Sequence, residues 1–186
     1  MKRILSLLTI FSVMLVFLSG FKADTDSRPA EGIHWLTIEE AFVKIQTEPR
    51  KVLIDVYTDW CGWCKVMDRE TFKDKAVADY INKKYYAVKL DAEQKATIKL
   101  GDKQFKYLEQ GGRGINEIAL ALTNNQPSYP TTVFLDDHFN IIQPLPGYLK
   151  AKEFHQIITF FGEDYHKKQD FEGYKAKTYG ELYPAK

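Results

Sequence analysis

The sequence predicts an α/β domain with one mixed sheet and helices on both faces. Three observations carry this. Compact apolar runs of strand length, residues 52–57 and 85–90, alternate with stretches whose apolar residues recur at helical spacing. Two short strand-like segments joined by a turn follow at 131–142, adding an antiparallel hairpin to a βα order. The chain has 186 residues, 45% hydrophobic and 14% aromatic, enough for one domain with a real core and too apolar for disorder.

Taken in order, Thr37-Ile38-Glu39-Glu40 is a capping box, in which Thr37 accepts from the N–H of Glu40 and Glu40 reaches back. Ile38, Phe42 and Ile45 extend an apolar stripe until Pro49 stops the helix. Residues 52–57 form a buried strand containing one acid, Asp55. Thr58-Asp59-Trp60 is a loop, and a helix is expected over 61–69. A second, over 75–84, places Val77, Tyr80 and Ile81 on one face and leads into the strand 85–90, closed by Asp91.

Residues 92–127 read as an insertion. They are Lys-rich at first, with a small hairpin predicted around Gly101-Asp102 from 97–100 and 104–108. Gly111-Gly112-Arg113-Gly114 and a short helix over 115–123 follow. Tyr129-Pro130 leads into the strand 131–135, a turn at 136–140 and a short return at 141–142. The last long helix is expected over 151–165, and 166–186 as a short packed helix or a partly free tail.

The first segment reads as an address. Lys2-Arg3 precedes a nearly apolar stretch, 4–18, and then Ser19-Gly20, the layout of a secretory signal. About fifteen helical residues span roughly 22 Å, short of a hydrocarbon core of roughly 30 Å. The competing reading is an uncleaved membrane anchor. Residues 1–23 are taken as the signal and 24–34 as a linker to a domain over 35–165. Losing Lys2, Arg3 and Lys22 from 26 cations leaves 23 against 25 acids, a charge of −2. The expected location is periplasmic or secreted, an oxidising space. Near-zero charge without a Lys/Arg block argues against nucleic acid as a partner.

The two cysteines are Cys61 and Cys64, in Trp60-Cys61-Gly62-Trp63-Cys64-Lys65, where a strand ends and a helix opens. Cysteines at i and i+3 on a first helical turn can close a small disulfide ring. Unpaired N–H groups and the dipole at the helix N-terminus stabilise a thiolate there. Cys61 is therefore expected to be exposed and to attack, and Cys64, more buried, to resolve the mixed disulfide. The alternatives are weaker. So small a loop gives little entropic stabilisation as a structural disulfide. A haem attachment needs His where Lys65 stands. Zinc needs two further ligands, and His34, His138, His155 and His166 are scattered, reading as surface or capping residues. No metal and no cofactor is expected.

The stretch 52–65 resembles thioredoxin. Asp55, six residues before Cys61, matches the buried aspartate below the dithiol of that family. Tyr129-Pro130-Thr131 matches the loop whose proline is cis, and Gly147 matches the glycine that lets the last strand approach the site. Lys65, Met67 and Glu70-Thr71-Phe72 are closer to secreted thioredoxin-like proteins related to periplasmic reductase domains than to cytosolic thioredoxin. The resemblance covers about 35–165, less the insertion, and implies a thioredoxin-like fold with that insertion before the cis-proline strand.

The resemblance also implies roles. Asp55, its pKa raised by desolvation, would take the proton of Cys64. Pro130, if cis, would present the Tyr129 backbone to an extended substrate by strand-like pairing. Trp60, Gly62 and Trp63 would complete the substrate surface, Trp63 standing where thioredoxin has proline. Because Gly62-Trp63 brings no imidazole, the thiolate is less stabilised and the pair less oxidising. This points to reduction of protein disulfides, with re-reduction by a membrane electron donor or another redox partner, the protein itself being a monomer. Two other classes stay open: a binding or chaperone module on the same fold, and a thiol peroxidase passing through a sulfenic acid at Cys61.

Overall fold

A computed structural model of the chain describes residues 32–184. The expected signal, 1–23, and most of the expected linker lie outside them. Of that linker, residues 32–34 are packed: Ile33 joins the core, and Asn82 bonds both the Gly32 carbonyl and the His34 N–H.

The central sheet has five strands. They are β1 (Trp35–Leu36), β2 (Lys51–Tyr57), β3 (Tyr85–Asp91), β8 (Thr131–Leu135) and β9 (Ile141–Pro146), in the order β1-β3-β2-β8-β9. β3 runs parallel to β1 and β2, while β8 is antiparallel to both β2 and β9, so the sheet is mixed. Helix α1 (Ile38–Ile45) opens on the Thr37–Glu40 box, both bonds of which form. Helix α2 (Gly62–Glu70) carries the cysteine motif, and α3 (Lys75–Lys84) is capped by Asp74 through the Val77 N–H. Helix α5 (Ala151–Gly162) is the last long one.

Alternation along β2 divides the core. Val52, Ile54 and Val56 face a cluster with α1 residues Ile38, Ala41 and Ile45. Leu53 faces the other way, onto Met67 of α2, Val77 and Ile81 of α3 and Phe154 and Ile158 of α5. Asp55 has the parity of Leu53, so the buried acid points to the side of the sheet that α2 covers.

Several expectations are corrected. The edge strand β1 was not anticipated; two residues carry no periodic signal. The segment 92–127 holds two hairpins, β4 (Ile98–Leu100) with β5 (Lys103–Phe105) and β6 (Tyr107–Gln110) with β7 (Arg113–Asn116), where one was expected. Ile115 thus lies in a strand, and the short helix α4 spans Glu117–Leu122 behind an Asn116 cap. This segment is also part of the core, since Ala92, Ile98, Leu100, Ile118 and Leu122 pack with α1. The return strand β9 is longer than 141–142 and carries Pro144 and Pro146 opposite Val133 and Thr131.

The helix expected over 151–165 ends at Gly162, because Asp164 takes a left-handed conformation at φ 58°. Beyond it the chain folds back in helical pieces, Phe171–Gly173, Tyr174–Thr178 and Tyr179–Leu182. Tyr174 is fully buried there and donates to Thr159 Oγ1 at 2.8 Å. His155 is not a surface residue: Nδ1 lies 2.9 Å from the Tyr179 hydroxyl, the residue is 8% exposed, and burial holds its pKa below the ordinary value.

Candidate active site

The site begins where β2 runs out. The Cys61 N–H donates to the Thr58 carbonyl at 3.1 Å, which closes the loop and leaves Cys61 extended, as the N-cap of α2. Its sulfur accepts the Cys64 N–H at 3.0 Å. That amide is one of the four donors a helix N-terminus leaves without a backbone partner, so a negative sulfur is stabilised there. The two sulfurs are joined, with S–S 2.12 Å and Cα–Cα 5.3 Å.

Cys61 is 4% exposed and Cys64 2%. The expected contrast between an open and a hidden sulfur is absent in this oxidised form. The capping role accounts for it: Cys61 turns its sulfur inward, onto the amide and sulfur of Cys64. What is exposed is the pair of indoles, Trp60 at 52% and Trp63 at 62%.

Beneath α2 lies Asp55, 1% exposed. Lys89, its register partner on β3, donates to Asp55 Oδ2 at 2.7 Å and also to Asp68 Oδ1 of α2. Asp68 is one helical turn beyond Cys64, on the same face. The chain Asp55–Lys89–Asp68 therefore ties the buried carboxylate to the face of α2 that carries the inner sulfur. The ammonium also lies 4.8 Å from the Tyr57 ring centroid, with Trp35 and Phe72 at 5.3 and 5.4 Å.

Burial pushes the Asp55 carboxyl above the usual range; the Lys89 charge opposes this without cancelling it. Burial works against the Lys89 ammonium too, but Asp55 and Asp68 outweigh it and hold Lys89 above the ordinary lysine value. Asp55 Oδ1 is buried without a hydrogen-bond partner. A carboxylate with raised proton affinity and one unused oxygen has the chemistry of a proton acceptor.

The outer wall is aromatic. Tyr129 and Pro130 are joined by a cis peptide bond, in a loop held by the Thr131 hydroxyl on the Ser128 carbonyl at 2.7 Å. Trp63, Tyr129, Pro130, Gly147 and Tyr148 line one cleft. Trp63 stacks on Tyr148 at 5.4 Å, and Trp60 meets Tyr129 edge-on at 5.9 Å. Gly147, at φ +102°, donates its N–H to the Pro130 carbonyl at 2.8 Å, which brings the end of β9 against the loop. Burial, with the charges of Glu93 and Asp91, pushes the Tyr129 phenol up to about 12. Gly62 contributes open space, as nothing lies within 4 Å of where its Cβ would stand.

Sequence reasoning thus named residues that the fold does gather: Cys61, Cys64, Trp60, Trp63, Tyr129 and Pro130 at the surface, Asp55 below. It missed Lys89, Tyr148, Glu93 and Arg113. A lysine inside the apolar strand 85–90 was the available signal for Lys89. Glu93 accepts the Trp60 indole N–H at 3.0 Å, and the Arg113 guanidinium lies 4.8 Å from the Trp60 ring centroid.

Known proteins share this architecture. A solved "DsbH Oxidoreductase" aligns over 75% of this chain and 93% of its own, at 16% identity and TM-score 0.51. A thioredoxin-fold protein from Helicobacter pylori aligns over 72% and 84%, at 20% identity and TM-score 0.53. A "putative disulphide-isomerase" from Bacteroides thetaiotaomicron aligns over 76% and 99%, at 26% identity and TM-score 0.52. Among curated sequences, "Uncharacterized protein B0495.5" of Caenorhabditis elegans is 32% identical over 60 residues, 32% of this chain and 8% of that protein. Human spermatogenesis-associated protein 20 is 25% identical over 96 residues, 52% of this chain and 12% of that protein. This chain therefore matches only a small part of either protein. The family model described as "Thioredox_DsbH: Protein of unknown function, DUF255" matches residues 25–170. The fold, the dithiol at a helix N-terminus and that match together show that the chain belongs to the Thioredox_DsbH family of thioredoxin-like proteins.

Proposed function

We propose that the protein is a thiol–disulfide oxidoreductase that reduces disulfides in extracytoplasmic polypeptides. The observation that carries this is the Cys61–Cys64 pair at the start of α2, above a buried Asp55 with a free oxygen. In the reduced protein the Cys61 thiolate attacks one sulfur of the substrate disulfide. A Cys61–substrate bond forms, the substrate S–S bond breaks, and the departing thiolate takes a proton from water. Asp55 then accepts the proton of Cys64, whose sulfur attacks Cys61. The Cys61–Cys64 disulfide forms, and the second substrate thiolate leaves and is protonated. Two electrons have passed from the dithiol to the substrate.

The reducing direction is favoured because Gly62 and Trp63 place no imidazole between the cysteines to stabilise the thiolate further. Turnover then needs a dithiol donor to re-reduce the pair, and in an oxidising space that donor is a membrane electron-transfer protein. The extracytoplasmic location rests on the signal-like pattern of residues 1–23. The cis-Pro130 loop and the Trp63–Tyr148 cleft suit an extended, partly apolar peptide.

The test supplies the reduced protein with a peptide disulfide and follows thiol release. Turnover that is lost in Cys61→Ser, with a trapped Cys61–peptide adduct in Cys64→Ser, supports the assignment. Undiminished activity of Cys61→Ser rejects it in favour of a binding module. Peroxide-dependent turnover through a sulfenic acid rejects it in favour of a peroxidase.

A further inference from the structure

The β6–β7 hairpin brings a cation onto Trp60, the residue before Cys61, from a segment the exchange chemistry does not use. Its base is fixed. Asn116 is fully buried, and its side-chain amide donates to the carbonyls of Gln94 and Ala96 at 3.1 and 3.2 Å. Its backbone N–H donates to Ala92 at 2.8 Å, directly beyond β3. The strands are closely joined. A Cβ at Gly114 would stand 2.3 Å from Tyr107 Cζ and 2.4 Å from the Leu108 carbonyl oxygen. The tip is the pair Gly111-Gly112, with φ +55° and +93°, which turns the chain in two residues and sets Arg113 opposite Gln110.

Arg113 is exposed, and its guanidinium packs on Trp60, the residue before Cys61. The indole is itself held, by Glu93 at its N–H and by the Tyr129 ring. Among the described residues, the Arg113 guanidinium makes no ion pair or hydrogen bond. A guanidinium packed against a ring keeps its N–H fork available for a carboxylate. The segment itself is basic: residues 92–114 carry Lys95, Lys99, Lys103, Lys106 and Arg113 against Glu93, Asp102 and Glu109, and of the acids facing the aromatic wall, Glu93 is engaged by Trp60 while Asp91 acts on Tyr129.

We infer that this hairpin is a recognition arm, and that Arg113 receives a carboxylate side chain of the substrate polypeptide close to the cysteine under attack. The inference rests on the oxidoreductase assignment above and names its substrate class: disulfides flanked by Asp or Glu.

The test uses two disulfide-linked peptides that differ only in Glu or Gln near the cysteine. The unmutated protein is expected to favour the Glu peptide in kcat/KM by about fivefold at low salt, with the preference shrinking as salt rises. Arg113→Gln should bring the ratio to about one and Arg113→Glu should invert it, while Arg113→Lys keeps part of it, retaining charge without the fork. An unchanged ratio in Arg113→Gln overturns the inference and leaves Arg113 as a shield for Trp60. Equal turnover of both peptides by the unmutated protein also overturns it. Turnover of neither peptide by the unmutated protein overturns the oxidoreductase assignment itself, and the arm with it.

Discussion

Lys89 and Asp55 stand opposite each other in the parallel register of β3 and β2, and the lysine ammonium lies 2.7 Å from Asp55 Oδ2. Because the same ammonium also binds Asp68, Asp55 is only partly neutralised and keeps a raised proton affinity. The folded protein therefore holds the Asp55 proton to a higher pH than the unfolded chain does. The stability this gives is fully present below the unfolded pKa and is lost as pH rises through the folded one. Asp55→Asn should be more stable than the unmutated protein at pH 7 and gain nothing near pH 3, measured by denaturant titration. It should also slow resolution of a trapped mixed disulfide by about a hundredfold.

Lys89→Met removes the opposing charge. The Asp55 pKa should rise further, and stability at pH 7 should drop by about 3 kcal/mol, because a buried carboxylate loses its partner. Adding Asp55→Asn to the same chain should restore most of that loss. A double substitution whose stability equals the simple sum of the two single effects would show that the pair is not coupled.

The reduction potential of Cys61–Cys64 is expected near about −270 mV, at the thioredoxin end of the scale, by equilibration in graded thiol buffers and mass counting of alkylated cysteines. A value near about −120 mV would reverse the direction proposed here.

The aromatic wall should matter for peptides and little for the fold. Trp63→Ala removes an exposed ring that stacks on Tyr148. A contact of about 1 kcal/mol between this ring and the peptide corresponds to a roughly fivefold rise in KM for an apolar peptide disulfide, and loss of so exposed a ring should move the unfolding midpoint little.

Tyr174 is expected to behave oppositely. It is fully buried and bonded to Thr159, with Phe160 and Tyr165 rings 5.2 and 4.8 Å away. Tyr174→Ala should cost about 3–5 kcal/mol of stability in calorimetry or denaturant titration.

What could be read from the sequence was whatever chemistry announces locally. The Thr37–Glu40 box, the strand 52–57 and the span of α3 are each written in a few consecutive residues. So is the dithiol with its upstream acid and downstream proline. The partner of that acid was not legible, since pairing position 55 with position 89 depends on strand register, which neither strand states alone. His155 reads as an ordinary helix residue until the C-terminal pieces fold back and set Tyr179 against it. The β6–β7 hairpin was missed because its strands are short and polar, although Gly111-Gly112 was the turn signal to weigh.

The prolines of β9 have a consequence for the protein at high concentration. Gly147 points its N–H inward to Pro130, so by alternation the N–H positions at 144 and 146 would face away from β8, where proline has none. The opposite edge, β1, is two residues long. Among the described residues, neither flank of the central sheet presents a continuous ladder of free donors, so crowded chains do not find there the template on which cross-chain strands nucleate aggregates.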